Sequence, residues 1–307
     1  MVEDKTKIFV IVVTFKGKRW YDRCFSSLRE STIPVQTIVI DNASNDGSVE
    51  YIRENYPEIC LIESKENLGF GRANNIGMRY ALSKECNYVF LLNQDTWIEN
   101  DAIEELVRIH QQHQEYGILS PMHIRADGKS LYMQILDGNK NNPNKKLISD
   151  LYCNTLNDVY PLEYVNAAAW LVPRKTLTVV GGFDPIYLHY AEDCDYSNRV
   201  LYHKLLIGLC PQARIIHDHQ TTDNPLTPEG SKQRNQQMLV LECTNPNSHT
   251  PLWKRELYFV RKCVVSVCLG KINLFKKYYA DLSFVVSNHK RIKKSIEMNK
   301  TEQTSWL

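Results

Sequence analysis

Several short polar clusters in this chain of 307 residues carry side chains that can do chemistry. Asn93-Gln94-Asp95 closes the apolar run Tyr88-Val89-Phe90-Leu91-Leu92. A carboxylate at a strand end can hold a divalent metal, and a metal can hold phosphates; the plain alternative is a strand ending in a polar turn. Asp41 to Gly47, DNASNDG, follows a second apolar run. A carboxylate there can accept hydrogen bonds from a nucleobase N–H or a ribose hydroxyl, or it can make an Asx-turn into a helix. Glu192-Asp193-Cys194-Asp195 sets three carboxylates at the start of a predicted helix. They are either ordinary N-terminal acids or a general base for a hydroxyl of high pKa. His217-Asp218-His219 follows a further apolar run and reads either as structural histidines or as metal ligands at the same sheet edge as Asp95. Gly69, Gly71 and Gly77 form neither G-x-G-x-x-G nor a P-loop. Asn74 and Asn75 beside them can bind a base or ribose, or can cap a helix. Trp170, in NAAAW, is either core or a wall on which a sugar stacks.

These residues need elements to place them. Ile8 to Val13, Gln36 to Ile40 and Tyr88 to Leu92 are short, apolar and largely β-branched or aromatic, so they read as strands buried on both faces. Between the second and last of these, another strand is expected at 59–63. Helices are expected at about 19–30, from Ser48 as N-cap to Tyr56, from the glycine-bearing loop to Ser83, and at 102–112 after Asp101. Alternating strand and helix predicts a doubly wound, mostly parallel sheet, whose ligands bind at the carboxyl ends of its strands. After Pro121 the alternation fades. Residues 137–150 read as an exposed loop, 164–172 as a strand and Glu192 to Leu206 as a helix. Arg214 to His217 reads as a last short strand, and 220–231 as a linker. Beyond it, 233–242 and 255–280 look helical.

Composition is ordinary, 43% hydrophobic and 23% charged, with a net charge of +2. The even balance hides a split: residues 251–300 hold twelve Lys/Arg against three acids, so +9 there faces −7 in the rest. With Trp253, Tyr258, Phe259, Phe275, Tyr278 and Tyr279 interleaved, residues 253–294 suit an anionic membrane surface, or a helix packed on the domain with its lysines in water. Nucleic acid is a poor fit, because the remainder is acidic and carries no binding motif. The nine cysteines are scattered without a C-x-x-C pair and read as reduced. No apolar stretch reaches bilayer-spanning length. The expected location is cytoplasmic, soluble or peripheral at the inner face of the cytoplasmic membrane.

The order of the motifs resembles glycosyltransferase family 2, in its bacterial rhamnosyltransferase-like branch. The matching segments are Val13-Thr14-Phe15-Lys16, Ile40 to Ser48, Asn67 to Gly77, and Leu91-Leu92-Asn93-Gln94-Asp95-Thr96. Gly181-Gly182-Phe183-Asp184-Pro185, Tyr190 to Asp195, and the strand-end His217 complete the match, which spans roughly residues 7–220. Departures are Asn93 where the wider family carries a second Asp, Gln94 for the common Pro, and Pro185 for Glu. A family serine soon after the His is absent.

The resemblance implies a GT-A fold, an α/β doubly wound mixed sheet flanked by helices, assigned to residues 1–232; composition and charge add a helical basic region at 233–307. It implies transfer of a sugar, with inversion, from a nucleotide-diphosphate donor such as dTDP-rhamnose or a UDP-sugar to a hydroxyl of a saccharide or lipid-linked saccharide. Such a reaction would serve synthesis of bacterial surface polysaccharide. Thr14, Asp41, Asn74 and Asn75 would contact the nucleoside, with Asn93 on the donor side. Asp95 would hold Mg²⁺ or Mn²⁺, with His217 a further metal or diphosphate contact. Asp193 would be the base, with Glu192 beside it near the acceptor; Trp170, read as a wall on which a sugar stacks, is assigned to the acceptor from its residue type alone. The competing readings are a nucleotidyltransferase, which would want a more basic loop than Lys16-Gly17-Lys18, and a non-catalytic nucleotide-sugar-binding protein.

Overall fold

The computed structural model describes residues 6–132, 143–218, 227–302 and 305–307. The amino-terminal half alternates as its apolar runs predict. It comprises β1 (Ile8–Thr14), α1 (Lys18–Arg29), β2 (Gln36–Asp41), α2 (Ser48–Asn55), β3 (Cys60–Glu63), α3 (Phe70–Ser83), β4 (Tyr88–Asn93), β5 (Thr96–Ile98), α4 (Ala102–Gln112) and β6 (Tyr116–Arg125). Then follow α5 (Pro143–Cys153), β7 (Tyr160–Leu162), β8 (Ala169–Pro173), α6 (Arg174–Val179), α7 (Glu192–Tyr202) and β9 (Leu206–His217). Four helices end the chain: α8 (Pro228–Thr244), α9 (Leu252–Cys268), α10 (Ile272–Ser287) and α11 (His289–Met298).

Among the described residues one mixed sheet runs β3-β2-β1-β4-β8-β6-β9-β5, with β7 also on β9. The β3-β2-β1-β4 half is parallel; β8 lies antiparallel between β4 and β6, and β9 runs parallel to β6. The carboxyl ends of β1, β2, β4, β6 and β9 therefore share one edge. Continuous apolar strands reflect burial on both faces. Phe9 and Ile11 pack with α3, α6 and α7 on one side, while Ile8, Val10 and Val12 pack with α1, α2 and α4 on the other.

Several boundaries differ from the sequence reading. A strand runs through Pro121, which has no N–H to give the ladder; the β6–β9 register shifts between Pro121 and Met122. Residues 143–150 belong to a helix, not a loop, anchored by the buried Leu147; 137–142 lie outside the described residues. The helix expected to reach Leu206 stops at Tyr202, and the last strand is twelve residues long. The stretch 255–280 is two helices, because Gly270 takes a left-handed φ of 65° between them. Thr227 caps α8 by accepting from Gly230 N, so the expected boundary at 232/233 falls inside a helix; 220–226 of the expected linker are outside the described residues. Ser48 opens α2 instead of capping it. Gly47 holds the cap position, and Asp46 Oδ1 accepts from Ser48 Oγ at 2.6 Å.

Candidate active site

The sheet edge where the parallel strands end gathers most of the polar clusters. Thr14 and Asp41 end neighbouring strands in register, and Thr14 Oγ1 donates to Asp41 Oδ1 at 3.2 Å. Asp41 Oδ2 accepts from Ser44 N at 2.8 Å, so the turn expected there does form, and both Thr14 and Asp41 are buried. Asn42 ties β2 to the next loop: its Oδ1 accepts from Leu68 N at 2.7 Å and its Nδ2 donates to Asn67 Oδ1 at 2.9 Å.

Gln94, which the sequence marks only as a departure from Pro, has a definite job. Its Oε1 accepts from Phe15 N at 3.0 Å and its Nε2 donates to Phe15 O at 3.2 Å. One amide thus fastens the loop after β1 to the end of β4. Proline could do neither.

Asp95 and His217, 122 positions apart in the chain, come together because β5 pairs antiparallel with β9, which sets Thr96 opposite His217. His217 Nε2 lies 3.6 Å from Asp95 Oδ1, and Asp218 N donates to Asp95 O at 2.9 Å. Trp20 Nε1 fixes the same corner by donating to Asp218 Oδ2 at 2.8 Å. His219 lies outside the described residues. Behind His217 sits His123, fully buried, its ring centroid 5.7 Å away; burial holds its pKa well below the usual value.

A cavity of about 250 Å³ opens beside this corner, lined by Asn93, Asn166, Glu192, Asp193 and His217 among others. Asp193 Oδ2 accepts from Tyr164 OH at 2.7 Å and its Oδ1 from Cys194 N at 2.8 Å, which fixes the carboxylate at the first turn of α7. Glu192 is different. Its Oε2 is buried and has no hydrogen-bond partner among the described residues. Burial, then the neighbouring Asp193, pushes its pKa up to about 7.

The third acid of that cluster leaves the site. Asp195 faces the core, where Arg199 Nε donates to its Oδ2 at 2.9 Å, both side chains being fully buried. Arg199 also donates to Val180 O and Gly182 O, at 2.8 and 2.7 Å, and so braces the turn that leads to α7. Tyr190 and Ala191 enter α7 with φ of 68° and 69°, two successive left-handed residues before Glu192.

Two expectations are corrected here. Trp170 is not a pocket wall: it is fully buried on β8, stacked 6.1 Å from Phe183 with Tyr196 beside it. A residue in the middle of a sheet buried on both faces has no path to an acceptor. Asn75 is not turned toward the donor. Its Oδ1 accepts from Phe183 N at 2.7 Å and its Nδ2 donates to Phe183 O at 2.8 Å, clamping the Gly-Gly-Phe turn onto α3. Asn74 is buried and donates to Phe70 O at 3.0 Å. Gly69 at the cap of α3, and Gly71 and Gly77 within it, serve close packing rather than a phosphate cradle. A Cβ on Gly69, whose φ is 78°, would stand 2.2 Å from Leu188 O.

Fold and edge define a GT-A protein, with an acidic cavity at the carboxyl ends of the strands. The glycosyl transferase family 2 profile matches residues 9–161. A dTDP-rhamnosyl transferase, RfbF, of Shigella flexneri is 23% identical over 69% of this chain and 69% of its own. An N-acetylglucosaminyl-diphospho-decaprenol L-rhamnosyltransferase of Mycobacterium tuberculosis is 24% identical over 70% of this chain and 78% of its own. The crystal structure of S. aureus TarS 1-349 superposes with a TM-score of 0.59 at 12% identity, covering 95% of this chain and 83% of that one. The same protein in complex with UDP-GlcNAc gives 0.55 at 13%, over 96% and 89%. The chain belongs to glycosyltransferase family 2, in its rhamnosyltransferase-like branch.

Proposed function

We propose that this glycosyltransferase moves a sugar, with inversion, from a nucleotide-diphosphate donor to a hydroxyl of a saccharide acceptor. The observation that carries the reading is the cavity in which Asn93, His217, Glu192 and Asp193 converge at the strand ends. Its donor is a dTDP-rhamnose or UDP-sugar, and its acceptor a lipid-linked saccharide of surface polysaccharide synthesis. The support is the naming of the two relatives above and the UDP-GlcNAc complex of TarS.

The base is Asp193, held by Tyr164 and a backbone N–H in one orientation, with lone pairs left for an acceptor hydroxyl. Glu192, uncharged for part of the time near pH 7, lines the acceptor side and can exchange a hydrogen bond with the same sugar. Asp41, Thr14 and the loop pinned by Gln94 flank the nucleoside side. Asp95 and His217 suit one divalent cation, Mg²⁺ or Mn²⁺. Among the described residues no group of three or more His, Cys, Asp or Glu could hold a metal, so diphosphate and water oxygens would complete the shell. When bound, the cation offsets the charge on the departing diphosphate.

Asp193→Asn should keep donor binding and lose transfer. Turnover within a few-fold of wild type would remove Asp193 from the mechanism. Activity that persists undiminished in EDTA would do the same for the metal role of Asp95 and His217. Donor hydrolysis or transfer by the purified protein excludes a non-catalytic binding role.

A further inference from the structure

The helices α9 and α10 form an antiparallel hairpin whose tip is open to solvent among the described residues. From Val264 to Leu274 only Ser266 is buried. The tip is mostly apolar for an uncovered surface, with Val267 61%, Leu269 61% and Ile272 66% exposed, and the exposed Lys271 is the one charge within it. Along α9 the open side continues as Trp253, Leu257, Val260 and Val264, at alternating intervals of four and three, which is one helical face.

Just behind the tip the chemistry changes. Arg261 and Lys262 on α9 stand level with Lys276 and Lys277 on α10, and Lys262 Nζ lies 5.8 Å from the Tyr278 ring across the hairpin. Phe275 and Tyr279 stack at the same level, ring centroids 5.8 Å apart. An apolar tip, then a collar of cations and aromatic rings, is the order of chemistry met in crossing from hydrocarbon into a headgroup layer.

We propose that the α9–α10 hairpin docks this protein on an anionic bilayer, its tip dipping among the acyl chains and its collar meeting the headgroups. Charge selects this occupant. A second copy seated on the same face would bring one cationic collar against another, within a segment of net charge +9. Packing ties the hairpin to the cavity. Phe284 of α10 lies in one apolar cluster with Tyr187 and Ala191, and Ala191 directly precedes Glu192-Asp193. The exposed Leu188 and Tyr190 belong to the same loop. A lipid-linked acceptor held in that surface would reach the base without leaving it. This last step rests on the function proposed above; the docking itself does not.

The test is co-sedimentation of the full chain with vesicles of phosphatidylcholine alone and with about a third phosphatidylglycerol. Binding to the second and not the first is expected, and it should weaken in high salt. Lys276→Gln with Lys277→Gln should lower partitioning about twenty-five-fold, since each cation near such a surface contributes about five-fold. Leu269→Asp with Ile272→Asp should abolish it; these side chains are exposed, so circular dichroism should be unchanged. No binding to anionic vesicles, or binding that neither pair alters, overturns the proposal, as does a dimer in solution that the Leu269/Ile272 pair dissolves. Transfer to a soluble acceptor without vesicle binding would sink the docking and leave the enzyme. Vesicle binding without transfer from any nucleotide-sugar would do the reverse.

Discussion

Glu192→Gln should make the protein more stable above neutral pH while costing it activity. Glutamine keeps the shape of the side chain and removes the charge that burial disfavours. In the folded protein the Glu192 pKa is raised from the usual 4.5 to about 7, first by burial and second by Asp193. The folded state therefore holds this proton more tightly than the unfolded chain does. The stability that goes with it is fully present below pH 4.5 and is lost as pH rises through 7. At 1.36 kcal/mol per tenfold in proton affinity, the wild type forfeits up to about 3 kcal/mol by pH 8; partial exposure of the group brings this nearer to about 2. Wild type and variant should match at pH 4.5, diverge between pH 5 and 7, and run parallel above. Urea unfolding at fixed pH values reads the difference directly. A difference that is flat with pH, or that favours the wild type at pH 8, would show that Glu192 is not a buried, destabilising carboxylate. Asp193→Asn supplies a control. It removes the second cause of the shift, so the divergence should move to lower pH.

Other perturbations follow from the same geometry. Arg199→Leu removes the only cation paired with the fully buried Asp195 among the described residues, leaving it hydrogen bonds from Tyr187 and Asn299, and should cost about 3–5 kcal/mol in urea unfolding, whereas a loss below about 1 kcal/mol would mean the pair is not structural. Gln94→Ala frees Phe15 N and O from two hydrogen bonds, so donor KM should rise about five- to tenfold with kcat little changed; an unaltered KM would separate that loop from the donor. Gly181→Ala combines a φ of 82° with a Cβ 2.1 Å from Ser305 O. It should lower the melting temperature and expose the carboxyl-terminal residues to protease, and a fully protected tail would argue against the contact.

The buried strands were plain in the sequence because a strand covered on both faces must be apolar throughout, and β1, β2 and β4 are. So was the sheet edge, since polar clusters that end such strands fall on one side of a parallel sheet. Glu192 and Asp193 were legible for the same kind of reason, as acids opening a helix after a glycine turn. What the sequence hid were the long-range pairings. Composition cannot tell an amide that faces a ligand from one that ties two loops, so Gln94 looked like a mere substitution and Asn75 like a donor contact. Trp170 looked like a pocket wall because a tryptophan gives no sign of its depth; only β8 inserting between β4 and β6 buried it.

Asp95 and His217 were placed at one sheet edge by the sequence, but their approach to 3.6 Å depends on β5 folding back on β9. The three acids from Glu192 to Asp195 are indistinguishable as letters. Within the first turn of α7 the third points into the core, onto Arg199, while the first two line the cavity. The sequence determined the periodicity, the polar strand ends and the basic carboxyl-terminal segment, because each is a local property of residue types. Tertiary structure decided which polar groups are left with unspent hydrogen-bonding capacity, because that depends on what the rest of the chain brings against them.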